Sequence, residues 1–272
     1  MTFSRYAFPP AGGARIGLRA LDARASAFLE RFARAAGWPR VETLRGTPSI
    51  RISVSPLKTS SAGDRTCRLA PLDSASEFYC HAVDLTMTIG REIQKRGGVF
   101  LHGALAEFRG RGVVLAAPGG TGKTTASGRL PRPWHSLCDD MSLLVPGRAG
   151  IIQAQPWPTL SRFLDGGPGG TWNTSRAVPL AAIYFLLQAA GERVDRVGPG
   201  EGLSLLVESS EQASHAMSRG LSLEERRILR RERFENLAAI ARAVPVHLLR
   251  LSVKGAFWKE IERTFAEKPR RF

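Results

Sequence analysis

Cysteine is scarce in this chain. Its 272 residues include only Cys67, Cys80 and Cys138. Three thiols at these spacings make neither a disulfide framework nor a zinc-ligand pattern. No apolar run reaches the roughly 18 residues that a membrane span needs. The first ten residues, Met-Thr-Phe-Ser-Arg-Tyr-Ala-Phe-Pro-Pro, lack the apolar stretch of a secretory signal. A cytoplasmic location with no membrane partner is the expectation. No internal repeat is present, which argues against a solenoid or propeller. No recognition helix, zinc finger or aromatic RNA-binding motif is legible, so no specific nucleic-acid role is expected.

Acidic residues are also in deficit. Asp and Glu number 24 against 39 Lys and Arg, a net charge of +15. Such a surplus favours polyanionic partners, with nucleic acid, an acidic peptide or protein, and nucleotide phosphates all candidates. The arginines are spread along the chain, so part of this charge serves only to solvate the surface. Self-association is left open.

What is present is enough apolar material for a core, at 43% of residues. The length suits one large domain, or one domain with a small addition. Residues 18–36 carry Leu18, Leu21, Ala25, Phe28, Leu29 and Phe32 at helical spacing. Residues 49–54 alternate like a strand, and Lys58-Thr-Ser-Ser-Ala-Gly-Asp reads as a loop. Residues 75–96 read as a helix stopped by Gly97-Gly98. Two strands follow, 99–108 and 112–116, joined by a tight turn at Arg109-Gly-Arg-Gly. Then come a short helix at 123–130, a strand at 134–145 interrupted by Asp139-Asp140, and a Gly-rich loop at 165–170. A buried strand at 178–187, a charged helix at 221–243, a strand at 246–253 and a helix at 257–265 complete the pattern.

The chemistry concentrates at Ala117-Pro-Gly-Gly-Thr-Gly-Lys-Thr, which follows an apolar strand and opens a helix. Glycines there let the backbone turn its N–H groups toward one point, a cradle for phosphate. The pattern names the polyphosphate of a nucleoside triphosphate, with Mg2+, as the ligand. Pro118, Gly119, Gly120, Thr121, Gly122, Lys123, Thr124 and Thr125 are the expected contacts. Lys123 would reach the terminal phosphates and the Thr124 hydroxyl the metal. Ala117 stands where the pattern has its first Gly. Asp139-Asp140 lie 16 and 17 residues beyond Lys123 on an apolar strand. A carboxylate there can hold Mg2+ or accept a proton from an attacking hydroxyl. Successive strand residues face opposite ways, so only one looks into the site unless the chain bends. His102 ends the strand before the turn.

These pieces together resemble the HPr kinase/phosphorylase family, whose core is similar to that of the ATP-dependent phosphoenolpyruvate carboxykinases. The resemblance covers 99–144 most closely. It rests on His102-Gly-Ala-Leu-Ala-Glu-Phe, Gly110, Gly112, Gly122-Lys-Thr and Cys138-Asp-Asp, with His102 lying 21 residues before Lys123. Outside that core the chain looks like a branch found in peptide-modification gene sets, the SynChlorMet-cassette proteins and lasso-peptide precursor kinases. Trp134, Pro156-Trp-Pro-Thr, Trp172, Val178-Pro-Leu and the Ala117 form of the loop carry that likeness.

The resemblance implies an α/β fold: a P-loop core with a mixed β-sheet flanked by helices, spanning 75–272, and a small N-terminal α/β domain at 1–74. It implies that Asp139 is the general base, that Asp140 and Thr124 stand on the metal side, and that His102 lies near the transferring phosphate. The family's Glu-x-Arg-Gly-Leu-Gly segment has no plain counterpart. The stretch 157–173 occupies its place, and Arg162, Trp157, Trp172 and Arg176 are candidate acceptor-binding residues. The implied activity is an ATP- and Mg2+-dependent kinase acting on a serine or similar hydroxyl of a peptide or protein, in a peptide natural-product (RiPP) modification system. An ATP-binding regulatory module or ATPase, and a small-molecule kinase, are the alternatives.

Overall fold

The computed structural model describes residues 3–10, 13, 15–45, 47–54, 66–71 and 75–266. The loop expected at 58–64 lies outside them. Two sheets organise the chain. The first has four strands in the order β1 (Arg5–Phe8), β2 (Ile16–Ala20), β3 (Ser49–Val54), β4 (Thr66–Leu69). β1 and β2 are antiparallel, and β2, β3 and β4 run parallel. Helix α1 (Ala23–Ala36) crosses between β2 and β3.

The helix expected at 18–36 is therefore split. Leu18 belongs to β2, and α1 starts only at Ala23. Asp22 is the reason. Its carboxylate accepts from the Ala25 amide and from the Val54 amide, each at 2.8 Å. One oxygen caps the helix, and the other fixes the end of β3 beside it. Leu18 is fully buried as a strand residue, so its match to the helical spacing was fortuitous. The helix ends at Gly37, whose φ of 68° is left-handed.

The second sheet follows α2 (Glu77–Gln94). Its strands are β5 (Val99–Phe108), β6 (Arg111–Ala116), β7 (Trp134–Cys138), β8 (Met141–Pro146), β9 (Ile152–Trp157), β10 (Val178–Gln188), β11 (Arg193–Arg196) and β12 (Val246–Leu251). Helix α3 (Lys123–Gly128) joins β6 to β7. Helices α4 (Pro199–Ser214) and α5 (Leu223–Ala243) lie between β11 and β12, and α6 (Trp258–Ala266) closes the chain. The strand order is β11-β12-β10-β6-β5-β8-β9, with β7 also beside β5 and β9 returning to pair with the start of β10. β10 runs parallel to both β6 and β12, and the other pairings are antiparallel. The sheet is mixed, as expected. Sequence reading missed β1, β4, β9, β11 and α4.

The β5–β6 turn is as short as the sequence suggested. Arg109 and Gly110 have φ of 50° and 79°. Positive φ at both central positions gives a turn whose twist matches that of the strands.

Helices cover both faces of this sheet. Leu206 of α4 and Leu237 and Ile240 of α5 pack on one side with Leu101, Leu105 and Val114. Phe257, Ile261 of α6 and Ala126 of α3 pack on the other with Leu115 and Tyr184. A further core joins the first sheet, α1 and α2 to Phe100, Leu143 and Trp157 of the second. The boundary expected at 74 separates the two sheets but does not divide this core. No helix among the described residues is long and apolar enough to cross a membrane.

Candidate active site

β7 and β8 both pair with β5, and from Cys138 onward they share one register, after an irregularity earlier in β7. Leu105 faces Cys138 before a two-residue break, and His102 faces Met141 after it. Asp139 and Asp140 fill the break, opposite Ala104 and Gly103. Gly103 is also the partner of Ala116, the last residue of β6. Asp140, Gly103 and Ala116 thus form a row across three strands, and the Gly-rich loop springs from the end of that row. Adjacent strands lie about 4.8 Å apart, so Asp140 starts only two strand spacings from the loop.

In the loop, Gly120 and Gly122 have φ of 78° and 104°. A Cβ built on Gly119, Gly120 or Gly122 meets no atom within 4 Å, so the loop borders open space. These glycines serve backbone conformation rather than close packing. Lys123 folds back under the loop. It is 6% exposed, and its ammonium donates to Ala117 O at 2.8 Å and Pro118 O at 3.2 Å. Among the described residues these carbonyls are its only hydrogen-bond acceptors. Burial pulls the Lys123 ammonium below its ordinary pKa, and nearby Asp140 partly offsets this. Thr124 and Thr125 are exposed. Gln188, at the end of β10, donates its amide to Thr121 O at 3.2 Å and ties the loop to the sheet.

His102 joins Asp140 to α4. Its Nε2 lies 3.1 Å from Asp140 Oδ1, and its Nδ1 lies 2.9 Å from Gln212 Oε1. The Gln212 amide nitrogen points to Glu208 at 3.4 Å, which fixes the end of the amide that faces the histidine. The hydrogen bond from His102 holds the Asp140 carboxyl below its ordinary range, against burial, which acts the other way. His102, Asp140, Gly119 and the exposed side of α4 enclose a cleft of about 610 Å³.

The expected site residues divide. The structure brings together His102, Asp140, Lys123 and the loop from Pro118 to Thr125. Asp139 turns the other way, as adjacent strand residues do. Thr159 Oγ1 donates to its Oδ1, and Arg162 pairs with its Oδ2 at 2.8 Å. Arg162 thus anchors the segment after β9 rather than lining the cleft. Arg176 pairs with Glu107, near the turn end of β5, at the opposite end of that strand from the loop.

Two further expectations are corrected by burial. Trp157 is fully buried, with Phe8, Trp38 and Phe100 around it and its indole N–H on Thr86 Oγ1 at 3.1 Å. Trp172 is 7% exposed and packs on Phe163. Both are core residues and cannot contact an acceptor. Sequence reading missed Gln188 and the α4 residues Glu208, Glu211 and Gln212. The recurrence of Leu203, Leu206, Val207 and Ala213 after Pro199 was the available signal for that helix.

Among the described residues no group of three or more His, Cys, Asp or Glu is arranged to hold a metal by itself. A metal here would need oxygen atoms from a ligand as well.

The family model for the SynChlorMet cassette protein ScmC matches residues 66–266. That is most of the chain, and the chain belongs to this family. No curated protein matches it.

Proposed function

We propose that this ScmC-family chain is an HPr-kinase-like phosphotransferase that moves the γ-phosphate of ATP to a hydroxyl of a peptide or protein. One observation carries the reading: Gly119 of the Gly-rich loop lines the same cleft as the His102–Asp140 pair, and the buried Lys123 beneath that loop lies close enough to feel the Asp140 charge. The residues fit a nucleotide. The loop borders open space, and the Lys123 ammonium rests only on carbonyls that a phosphate oxygen can replace as acceptors. Charge-assisted bonds to phosphate are the stronger ones, so that exchange favours binding.

Loop amides and Lys123 hold the phosphates, and the exposed Thr124 hydroxyl would hold Mg2+. Such a metal would supply charge neutralisation for the transferring phosphate. Asp140 takes the hydroxyl proton. Its Oδ1 is held by His102, and its Oδ2 has no hydrogen bond among the described residues. An ionised carboxylate with one oxygen open to the cleft can accept that proton as the hydroxyl attacks. The acceptor oxygen then bonds to phosphorus as the bond to the ADP oxygen breaks. Positioning and electrostatics supply most of the rate in such transfers. The base role implied for Asp139 passes to Asp140, because both Asp139 oxygens already accept from Thr159 and Arg162.

The test uses γ-labelled ATP, Mg2+ and a set of serine peptides. Label is expected on peptide with the natural chain, and not with Asp140→Asn, which still binds ATP. Asp139→Asn should retain transfer. Transfer by Asp140→Asn at the natural rate would remove the base assignment. Free phosphate with no labelled peptide would favour an ATPase or switch instead.

A further inference from the structure

We infer that the acceptor side of the cleft recognises a basic peptide, with Lys or Arg beside the hydroxyl that is phosphorylated. This rests on the phosphotransfer reading of the same cleft. It runs against the expectation of an acidic partner drawn from net charge.

Residues of α4 form one wall of the cleft. Glu208, Glu211, Gln212 and His215 recur at the spacing that puts helix residues on one face. All four are exposed and line the cleft. Asp140 adds a third carboxylate from the opposite wall. Among the described residues no Lys or Arg lines this cleft, in a chain whose net charge is +15. Among the described residues neither Glu208 nor Glu211 forms an ion pair. Arg233 of α5 lies close enough to feel Glu211, but it is buried and does not line the cleft. The acidic wall is thus not neutralised where it meets the open space. Nor are its carboxylates gathered to chelate a cation by themselves.

The two sides of the cleft then sort two ligands by charge. A polyphosphate is drawn to Lys123 and repelled by α4. A cationic side chain is drawn to α4 and away from Lys123. An acidic segment placed against Glu208 and Glu211 would set like charges together, which opposes binding, most of all at low salt. A basic residue flanking the acceptor hydroxyl satisfies the wall and leaves the hydroxyl facing Asp140.

The probe is a pair of fluorescent serine peptides, identical except that lysines flank the serine in one and glutamates in the other. Binding is measured on the full chain with Mg2+ and a non-hydrolysable ATP analogue. The lysine peptide is expected to bind at least about tenfold more tightly, with a preference that shrinks as salt rises. Glu208→Lys with Glu211→Lys should reverse the preference. The control Glu224→Lys with Glu235→Lys, on α5, makes the same change in net charge and should leave it intact. Equal or tighter binding of the glutamate peptide, no binding of either, or a preference untouched by the α4 reversal would overturn the inference. Label transfer from γ-labelled ATP is read separately. A chain that prefers the lysine peptide yet transfers nothing keeps the acidic-wall assignment and loses the kinase reading.

Discussion

His102 and Asp140, 38 residues apart in sequence, meet at 3.1 Å because a two-residue break in the strand beside β5 leaves Asp140 unpaired opposite Gly103. Had β7 and β8 run through without a break, Asp140 would be one more strand residue. The break also sends Asp139 away, to Thr159 and Arg162. Two adjacent carboxylates thereby acquire unlike partners, one on the cleft and one on the segment that follows β9.

Lys123→Met tests the loop. The ammonium is buried and bonded only to Ala117 O and Pro118 O, so its removal should change the melting temperature little. A charge-assisted hydrogen bond is worth about 1.5–3 kcal/mol, so ATP affinity should fall by about ten- to a hundredfold. Differential scanning fluorimetry and nucleotide titration on the same sample check both halves. A variant that binds ATP as well as the natural chain would mean that Lys123 does not meet the phosphates.

Asp140 should leave a signature in acid. In the folded chain its pKa lies below the ordinary 3.8, chiefly through the hydrogen bond from His102. A carboxyl depressed on folding stabilises the fold above its unfolded pKa and ceases to do so as pH falls through the folded one. The gap in urea midpoint between the natural chain and Asp140→Asn should hold from about pH 7 to about pH 5 and close below about pH 4. A gap that instead opened in acid would reverse the sign of the coupling to His102.

Trp157→Ala should behave as a core mutation. Deleting a fully buried tryptophan costs about 3–5 kcal/mol, and Thr86 Oγ1 also loses its donor. Urea unfolding should show the loss, while ATP affinity per folded molecule stays near its natural value. Trp157→Phe should recover most of the stability. If Trp157→Ala unfolded at the natural urea midpoint, the residue would not be part of the core.

The loop, the β5–β6 turn and the flanking strands were legible because each depends on local chemistry. Gly110 and Arg109 make the turn, and the Gly-x-Gly-Lys-Thr run makes the loop whatever surrounds it. The direction of the Asp pair was not legible. It depends on where a strand breaks relative to its neighbour, which is a pairing property. Helix α4 was missed for a different reason. Gly200, Gly202 and the serines at 204, 209, 210 and 214 are weak helix formers, and only packing on β5 and α5 makes that segment a helix. β11 reads Arg-Val-Asp-Arg, with no apolar face to mark it, and is held at the sheet edge by pairing with β12. Leu18 failed in the opposite sense, where a strand residue fell by chance on the helical spacing of α1.

The core shared by the two sheets ties the residues before position 66 to those after it. The family match begins at 66, within the first sheet, and leaves out β1, β2, α1 and β3. Yet Phe8 and Trp38, from the unmatched stretch, lie with ring centroids 5.4 and 6.0 Å from that of Trp157, which belongs to the matched one. The leading segment thus supplies apolar bulk to a core that it shares with the matched stretch. Exchanging it between relatives would succeed or fail on the volume that it returns around Trp157, and sequence identity across the junction would be a poor guide to the outcome.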